Sequence, residues 1–503
     1  MERKSKLFPH GAQALLTSAF VILLMLAVVS YFGSRLFTDG GDLGWHYGLA
    51  DYIAQHGAIP GPADQYLQVM LNYPPASHII AATIGLLLGS TLQAIFLTAA
   101  IYTFGIYVVL GLLMQRGAEK EFAAAAFVSI VLILGASVTR QLSGNEIIQN
   151  FFYAQLAGDF IMLVAFTLLT AWTPRSRFIW LLSATAAVQV VETFYVLSAV
   201  RLALALALFQ MPLVWRSRDR NFKIQAAFVL LLPAVVPLHP SFMSMVQNSV
   251  HDGGISVSLP LMLLSVALLL AITLPAWIEQ ARSDKTDRDF ALNCLGLGVA
   301  LSAVVQIAAF FALGLGSPYA IKKHAFLVGT LLVMIAALRT IRLTPLRGAV
   351  GRLHGGRLLS GAAPAFTLAT IAVFLIFPWH SKPLAPFLRY DLEVRALIDG
   401  SSDLQGSTIS ANKDFPNFLN LATSIAVLKM NAWSPLGPEL FRVFGGPLTE
   451  TEPSTYASRF ILIRAADIVD RSYPDCQFGS ELASVKVVSS ACFYGADAAR
   501  RKL

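Results

Sequence analysis

Long apolar runs separated by short clusters of basic residues set the pattern of this chain. The first run covers about residues 12 to 32. It is longer than the apolar core of a signal peptide and long enough to cross a hydrocarbon layer of about 30 Å. No Lys or Arg occurs between Leu36 and Met114, as the positive-inside rule expects of an external loop and the helix that returns from it. We therefore predict a cytoplasmic N-terminus and a first external loop at residues 34–90.

Further apolar runs alternate with the basic clusters in pairs, as required if every cluster faces the cytoplasm. They lie at about residues 121–138, 151–172, 178–194, 197–214, 224–239, 257–278, 290–312 and 321–338, and a last run at 360–378 leads outward. The pattern predicts a polytopic α-helical membrane protein of about eleven spans.

The short apolar segment from Pro74 to Ser90 is not counted as a span. Counting it would place Arg116 and every later basic cluster outside the cell. We expect it to form an interfacial or half-inserted helix on the external side.

After Pro378 the chain has balanced acids and bases and no spanning run. Residues 407–413, 459–465 and 485–495 are typical of strands, and residues 415–430 of a helix. We therefore divide the chain into a transmembrane domain, 1–379, and a small external α+β domain, 380–503. Cys476 and Cys492 lie in the second domain, as a disulfide in an oxidising compartment or as two thiols, whereas Cys294 lies in a span and is expected to pack.

Composition supports the same class of protein. Hydrophobic residues make up 56% of the chain, charged residues 13%, and mean hydropathy is +0.64, whereas an ordinary soluble chain has roughly 25% charged residues. The net charge of +8 comes from short basic clusters without a long basic face, so nucleic acid is not an expected partner. Walker, GxGxxG and HExxH motifs are absent from the sequence, which argues against a soluble nucleotide cofactor or a zincin.

The candidate chemistry begins in the first external loop, between Thr38 and Pro60. Asp39, Asp42 and His46 cluster there in a chain with few charges. In a helix, residues four apart share one face, so Asp42 and His46 would lie together. A carboxylate held at a membrane surface can act as a general base towards a hydroxyl or bind a divalent cation.

Apolar residues of the same segment are expected to contact the membrane interface, and Asp51 and Asp64 to be solvated. His56 and His78 are more typical of loop or interface positions than of catalysis. The apolar residues are Leu43, Leu49, Ala50 and Ile53.

Other polar residues are predicted to reach the same external face. Glu192 and Arg201 either pair with each other or bind substrate, and Asp159 lies about two turns inside a span. Lys322 and Lys323 are expected to bind an anion, the alternative being that they snorkel to lipid headgroups. The remaining external residues are Asn145, Glu146, His239, His251, Asp252, Tyr319 and His324.

Residues 36–90 and the overall architecture resemble the GT-C superfamily of integral-membrane glycosyltransferases. The likeness rests on an external acidic motif after the first span, on the Tyr73-Pro74-Pro75 stretch with its hydrophobic half-helix, and on many spans before an external domain. Such enzymes use a polyprenyl-phosphate-linked sugar as donor. The resemblance therefore implies this donor, a glycan or lipid acceptor, and membrane lipids as surroundings.

Carried onto this chain, the resemblance makes Asp42 the catalytic base and Asp39 its neighbour or a sugar contact. His46 would orient Asp42 or the acceptor. Many branches of the superfamily have an adjacent Asp-Glu pair, but here Leu43 follows Asp42, so the choice of base between Asp42 and Asp39 stays open. No cofactor is required with a monophosphate donor, whereas a pyrophosphate donor would favour Mg²⁺ or Mn²⁺ on the two aspartates.

The remaining site residues follow from the same resemblance. Those expected to bind the donor phosphate are Lys322, Lys323, Arg201 and Tyr319, and those expected to contact substrate are Glu192, His239, His324 and Tyr73.

Other functions remain open on the sequence alone. A lipid-linked polysaccharide polymerase or ligase would need a large loop between later spans, and a transporter would need a polar path to the cytoplasm and often internal repeats. A non-catalytic assembly or receptor protein is the third alternative. Compact loops and the absence of Asn-x-Ser/Thr sequons fit a multi-pass protein of a bacterial inner membrane with a periplasmic C-terminal domain.

Overall fold

A computed structural model gives the fold. It describes residues 8–37, 40, 42–71, 73–118, 121–172, 177–216, 220–243, 257–283, 289–343, 363–377, 381–400, 405, 408–409, 417–429, 460–464 and 485–489. Cys476, Cys492, His251 and Asp252 lie outside the described residues, so the predicted disulfide is not addressed.

The described chain is predominantly helical. In chain order, the helices are α1 (Phe8–Gly33), α2 (Leu43–His56), α3 (Ala76–Leu88), α4 (Thr91–Gly117), α5 (Phe122–Ala136), α6 (Asn145–Gln149), α7 (Tyr153–Ala171), α8 (Arg177–Glu192), α9 (Val196–Arg216), α10 (Arg220–Leu230), α11 (Leu259–Arg282), α12 (Phe290–Leu313), α13 (Pro318–Lys322), α14 (Ala325–Leu343), α15 (Ala363–Ile376), α16 (Ala385–Gly400) and α17 (Asn417–Ala426).

Within the described residues, six helical segments are long and apolar enough to cross a membrane. They are Thr91–Gly117, Phe122–Thr139, Tyr153–Ala171, Leu259–Arg282, Phe290–Leu313 and Pro318–Arg342. Shorter apolar helices accompany them, α3 among them with 13 residues. The prediction of a polytopic α-helical membrane protein is confirmed.

One predicted span is not a continuous α-helix. In place of a span over 224–239, α10 ends at Leu230 and a 3₁₀ helix covers Leu232–Leu238. Pro233 and Pro237 lie in this segment. Proline has no amide hydrogen and its ring clashes with the preceding turn, so an α-helix cannot run through both positions unbroken.

The strands among the described residues are short. β1 (Arg35–Leu36) pairs antiparallel with β2 (Lys382–Pro383), with Arg35 opposite Pro383. A second sheet has the order β3 (Thr408–Ile409), β4 (Phe460–Arg464), β5 (Val485–Ser489). β3 and β4 are parallel, whereas β4 and β5 are antiparallel with Phe460 opposite Ser489. These strands and α17 lie within the segments where the sequence pattern predicts them.

The chain forms two compact units. Unit one comprises residues 1–33 and 98–380, and unit two comprises residues 34–97 and 381–503. The first external loop and the C-terminal segment therefore belong to one unit, although nearly three hundred residues of unit one separate them in sequence.

The core of unit one is built on closely packed helices, with α9 against α12 and α12 against α11. Gly298 of α12 lies where a Cβ would be 2.7 Å from the backbone of Ala205 in α9. Small residues let membrane helices approach closely, so that packing and backbone contacts replace the hydrophobic effect that lipid cannot supply.

The core of unit two forms between α2, α3, α17 and a 3₁₀ helix at Gln65–Met70. Leu49 and Ile53 of α2 are buried in a cluster with Leu67, Met70 and Ala82. The expectation that the apolar residues of α2 contact the membrane interface is wrong, because they pack against protein.

The contact between α2 and α17 depends on two glycines of α2 that are four residues apart. A Cβ at Gly44 would lie 2.8 Å from Ile425 Cδ1 and 3.2 Å from Ala422 Cα, and one at Gly48 would meet Leu67 and Ile425 at 3.0 and 3.4 Å. This small-xxx-small pattern allows α17 to lie directly on α2.

We expect Gly298→Val to destabilise unit one, because the new side chain must occupy space taken by the Ala205 backbone. Overpacking of this kind typically costs about 1–3 kcal/mol. Thermal unfolding of the purified protein in detergent measures the change. Gly135→Ala is the control, since a Cβ there meets nothing within 4 Å, and an equal loss of stability in both variants would contradict the packing argument.

Candidate functional site

The acidic motif lies at the start of α2. Asp42 is the residue before the helix, and its carbonyl accepts hydrogen bonds from the amides of Trp45 and His46, both at 3.1 Å. Aspartate at this position usually caps the helix through its side chain, but here the half-buried carboxylate makes no capping bond. Asp42 and His46 are one helical turn apart, as predicted, whereas Asp39 lies outside the described residues.

His46 forms a close pair with His78 of α3. Nδ1 of His46 and Nε2 of His78 are 2.8 Å apart, and the ring planes differ by 12°. The Tyr73 ring meets His46 edge-on, with ring centroids 5.6 Å apart. His46 and His78 are 3% and 0% exposed, so the expectation that His78 is a loop or interface residue is wrong.

A buried ion network ties α2 to α16. Arg395 Nη2 and Nη1 donate to Asp51 Oδ1 and Oδ2 at 2.9 and 3.1 Å, and its Nε donates to Asp391 Oδ2 at 3.0 Å. Tyr47 donates to Asp391 Oδ2 at 2.6 Å and also contacts Arg395, while Thr423 donates to Asp391 Oδ1 at 3.1 Å. Asp51 is only 4% exposed, so the expectation that it is solvated is wrong.

Burial changes the pKa values of two groups in this network. Burial raises the pKa of Asp51, although the neighbouring Arg395 favours its ionised form. Burial also raises the pKa of Tyr47 well above its ordinary value, and the adjacent Asp391 charge adds to the effect. The Tyr47 hydroxyl therefore stays protonated and serves as a donor.

Unit one contains a second buried ion pair, between α9 and α7. Arg201 Nη1 donates to Asp159 Oδ1 and Oδ2 at 2.7 and 2.8 Å, and Ser198 donates to Asp159 Oδ1 at 2.6 Å. The alternative that Glu192 pairs with Arg201 is wrong, because α7 packs along α9 and brings Asp159 to the guanidinium.

His324 extends this pair. Arg201 Nη2 lies 3.3 Å from His324 Nδ1, and His324 Nε2 lies 2.7 Å from Gln306 Oε1. Because a guanidinium can only donate, Nδ1 accepts and Nε2 carries the proton that it gives to Gln306.

Aromatic rings surround the Lys323 ammonium. Its Nζ lies 4.5 Å from the ring centroid of Tyr319, 4.9 Å from that of Phe152 and 6.0 Å from that of Tyr195. Lys323 and Lys322 are half-buried. Aromatic faces attract a cation without neutralising its charge.

Several buried polar groups of unit one have no hydrogen-bond partner among the described residues. They are Asn145 Nδ2, Glu146 Oε1, Gln155 Oε1 and both carboxylate oxygens of Glu192. Gln155 is held by its other end, since Nε2 donates to the Lys323 carbonyl at 2.8 Å. Unpaired buried groups are costly, so these positions are candidates for ligand contacts.

One predicted site residue, His239, makes few contacts, and two residues near Lys323 were not predicted from the sequence. His239 is half-buried at the end of the 3₁₀ helix, where its Nδ1 accepts from the Ser241 amide at 3.2 Å. Gln155 and Phe152 were not predicted, although Gln155 lies four residues before Asp159 and so on the same helical face.

No group of three or more His, Cys, Asp or Glu residues that could hold a metal ion occurs in the part of the chain that the structure describes. Asp42 belongs to that part and Asp39 does not, so the predicted two-aspartate site for Mg²⁺ or Mn²⁺ is not addressed.

Comparison with known proteins does not identify a family for this chain. No protein-family model and no curated protein matches the chain. Among solved structures, ArnT from Cupriavidus metallidurans bound to undecaprenyl phosphate is similar at a TM-score of 0.46 and 12% identity, over 95% of this chain and 98% of that one. The apo structure gives 0.45 and 13%, over 96% and 98%. At this identity and TM-score, nothing about the reaction of this chain follows from the likeness.

We expect Arg395→Met to destabilise unit two by about 3–5 kcal/mol, because it leaves the buried Asp51 and Asp391 charges uncompensated. Chemical denaturation in detergent, followed by tryptophan fluorescence, measures the loss. Arg389→Met is the matched control, since Arg389 is exposed on the same helix. Stability equal to that of the control would contradict the network's role, and Asp51→Asn with Arg395→Met should recover part of the loss.

Stability should also depend on the protonation of Glu146. Burial raises the pKa of this carboxyl to about 8. The unfolded chain therefore loses the proton at lower pH than the folded one, and stability falls as pH rises from the ordinary glutamate pKa towards 8. Glu146→Gln should weaken this decline. Melting temperatures between pH 5 and 9 test it, and parallel curves for both proteins would contradict it.

Proposed function

We propose that this protein is a membrane glycosyltransferase that transfers a hexosyl or pentosyl group from a polyprenyl-phosphate-linked donor to an extracytoplasmic glycan or lipid, with inversion at the anomeric carbon. The observation that carries the proposal is the half-buried Lys323 ammonium. Among the described residues it contacts aromatic rings and has no carboxylate partner. A cation in this state suits an anionic ligand that arrives through the membrane.

The donor phosphate is assigned to Lys322, Lys323 and Tyr319. As the bond between the anomeric carbon and the phosphate oxygen breaks, its electron pair passes to the phosphate. A fixed ammonium therefore interacts more strongly with the transition state than with the donor. Arg201 supports this site in a different way, because Asp159 already balances its charge and the pair orders α7 against α9.

The acceptor proton is assigned to Asp42. The acceptor oxygen attacks the anomeric carbon, a new carbon–oxygen bond forms, and the hydroxyl proton moves to the carboxylate. Asp42 stands directly before α2 at the half-buried start of the helix. Asp39 remains the alternative base. With a pyrophosphate donor, Mg²⁺ or Mn²⁺ on these two aspartates would neutralise the additional leaving-group charge.

The sugar and acceptor contacts are assigned to polar side chains, of which Glu192 is the first candidate. Glu192 offers two carboxylate oxygens without described partners, and hydroxyl groups of a sugar can donate to both. His324, His239 and Tyr73 are further candidates for substrate contacts. The proposal places the protein in a bacterial inner membrane, with a cytoplasmic N-terminus and the residues of the site on the periplasmic side.

The decisive measurement is release of lipid phosphate by the purified protein in liposomes. We expect turnover with at least one polyprenyl-phosphate sugar when membrane glycan and lipid fractions are supplied as acceptors. Lys323→Met should lower kcat/KM for the donor about tenfold or more, with a fall in kcat, since it removes one charged contact of about 1.5–3 kcal/mol that is strongest in the transition state. Lys323→Arg should retain part of the affinity. Lys223→Met is the control, because Lys223 is exposed and lies on α10.

The same assay tests the proposed base. Asp42→Asn should lower kcat by about 10²–10⁴-fold, which is the range of general-base catalysis. Full activity in both Asp42→Asn and Asp39→Asn would rule out an aspartate base in this motif. If no donor releases lipid phosphate with any acceptor fraction, the proposal that this protein is a glycosyltransferase is wrong.

A further inference from the structure

Gln155 is buried in the first turn of α7, with its side-chain amide against the Lys323 backbone. The residue is 1% exposed, and its Nε2 donates to the Lys323 carbonyl at 2.8 Å. A carbonyl oxygen can only accept a hydrogen bond, so the side-chain atom beside it must be the amide nitrogen. The orientation of the amide is therefore fixed, and Oε1 is the atom that remains for another contact.

The Oε1 atom of Gln155 is a buried acceptor without a hydrogen-bond partner among the described residues. The donating half of the same amide is satisfied by the Lys323 carbonyl. Leaving a buried acceptor unpaired is costly. A group that donates a hydrogen bond to Oε1 would remove this cost.

The start of α7 contacts Lys323 at both ends of that residue. Phe152 directly precedes α7, three residues before Gln155, and its ring centroid lies 4.9 Å from Lys323 Nζ. Gln155 holds the carbonyl of the same lysine. The unpaired oxygen and the ammonium that we assign to the donor phosphate are therefore close enough to contact one ligand.

Another unpaired group near Lys323 is also an acceptor. Glu192 is fully buried, and neither of its carboxylate oxygens has a described partner. Tyr195 follows three residues later, with its ring centroid 6.0 Å from Lys323 Nζ. A ligand that satisfies these groups must combine an anion for the ammonium with hydrogen-bond donors for the oxygens. A phosphate-linked sugar has both, because its hydroxyls donate and its phosphate carries the charge.

We propose that Gln155 is a specificity-determining residue, and that its Oε1 accepts a hydrogen bond from a hydroxyl of the donor sugar whose phosphate lies at Lys323. The assignment rests on the proposed function. A donor without that hydroxyl leaves Oε1 unpaired, and a site built to bind a hydroxyl rejects such an analogue strongly. Gln155 therefore selects the sugar, whereas Lys323 binds the phosphate that all such donors share.

Three substitutions separate the two halves of the Gln155 amide. Gln155→Glu keeps an accepting oxygen, whereas Gln155→Lys keeps a donor for the Lys323 carbonyl and has no acceptor. Gln155→Met has neither and adds no charge. Gln149→Lys is the control, because Gln149 Nε2 makes the same kind of hydrogen bond to another carbonyl, that of Arg140, at 3.0 Å.

Equilibrium binding in nanodiscs tests the assignment without turnover. The probes are glucosyl, galactosyl, mannosyl and xylosyl polyprenyl phosphates, and methyl polyprenyl phosphate is the reference because it carries the same single charge. We expect the wild-type protein to prefer at least one sugar probe over the methyl ester by more than about tenfold. Gln155→Lys and Gln155→Met should lower this preference about tenfold, whereas Gln155→Glu and Gln149→Lys should retain it.

The ratio of the two affinities distinguishes selection from a general structural role. A distortion of the Lys323 site would weaken both probes, since both contain the phosphate, and would leave the preference unchanged. An unchanged preference in Gln155→Lys and Gln155→Met would overturn the assignment. An equal fall in Gln155→Glu would also overturn it, because that variant still has an acceptor.

Monodeoxy donors identify the hydroxyl in the liposome assay. With a donor that supports turnover, one monodeoxy analogue should have a kcat/KM about tenfold or more below that of the parent in the wild-type protein, and nearly equal to it in Gln155→Lys. Equal discrimination in both proteins would overturn the assignment and leave the transferase standing. If no sugar probe is preferred over the methyl ester and none supports turnover, the proposed function fails, and this assignment fails with it.

Discussion

The ion network around Arg395 is the interaction on which the organisation of unit two depends. Two carboxylates and one guanidinium lie together in a poorly solvated place, where their opposite charges compensate one another. Asp51 sits on α2, Asp391 and Arg395 on α16, so α2 can hold its position only while the C-terminal segment is in place. The residues proposed for catalysis lie one to three turns along α2 from this network, so their positions depend on it.

Unit one also holds cations at buried or half-buried positions, and it stabilises two of them in different ways. Asp159 and Arg201 form a fully buried ion pair, whereas Lys323 contacts ring faces that leave its charge intact. Arg201 contacts His324, which is the residue after Lys323, and Gln155 donates a hydrogen bond to the Lys323 carbonyl. The charge of Arg201 therefore belongs to an ion pair, whereas Lys323 is the cation to which we assign the donor phosphate.

The sequence was sufficient for features that depend on local pattern. Hydropathy and the distribution of basic residues predicted the membrane helices, and the four-residue spacing predicted that Asp42 and His46 share a helical turn. The interfacial setting of α2 was wrong because periodicity shows that a face is apolar, not what covers it. The covering helix α17 follows more than three hundred and fifty residues later.

Partnerships of charged residues were harder to predict for the same reason. Asp51 looked solvated because its partner Arg395 is 344 residues away. Glu192 looked like the partner of Arg201 because the two are close in sequence, yet helix packing selected Asp159. The broken span at 224–239 could have been predicted from Pro233 and Pro237, had their missing amide hydrogens been weighed against hydropathy.

The contacts of α2 also have a consequence for folding during synthesis. α2 is synthesised early, but the arginine that neutralises Asp51 and the helix that fills the space beside Gly44 and Gly48 are synthesised several hundred residues later. At about 5–20 residues per second, the 344 residues between Asp51 and Arg395 correspond to roughly 20–70 s. During this interval the membrane helices insert while α2 has neither its covering helix nor its counter-charge. The segment proposed for catalysis therefore gains these contacts only after Arg395 and α17 have been synthesised.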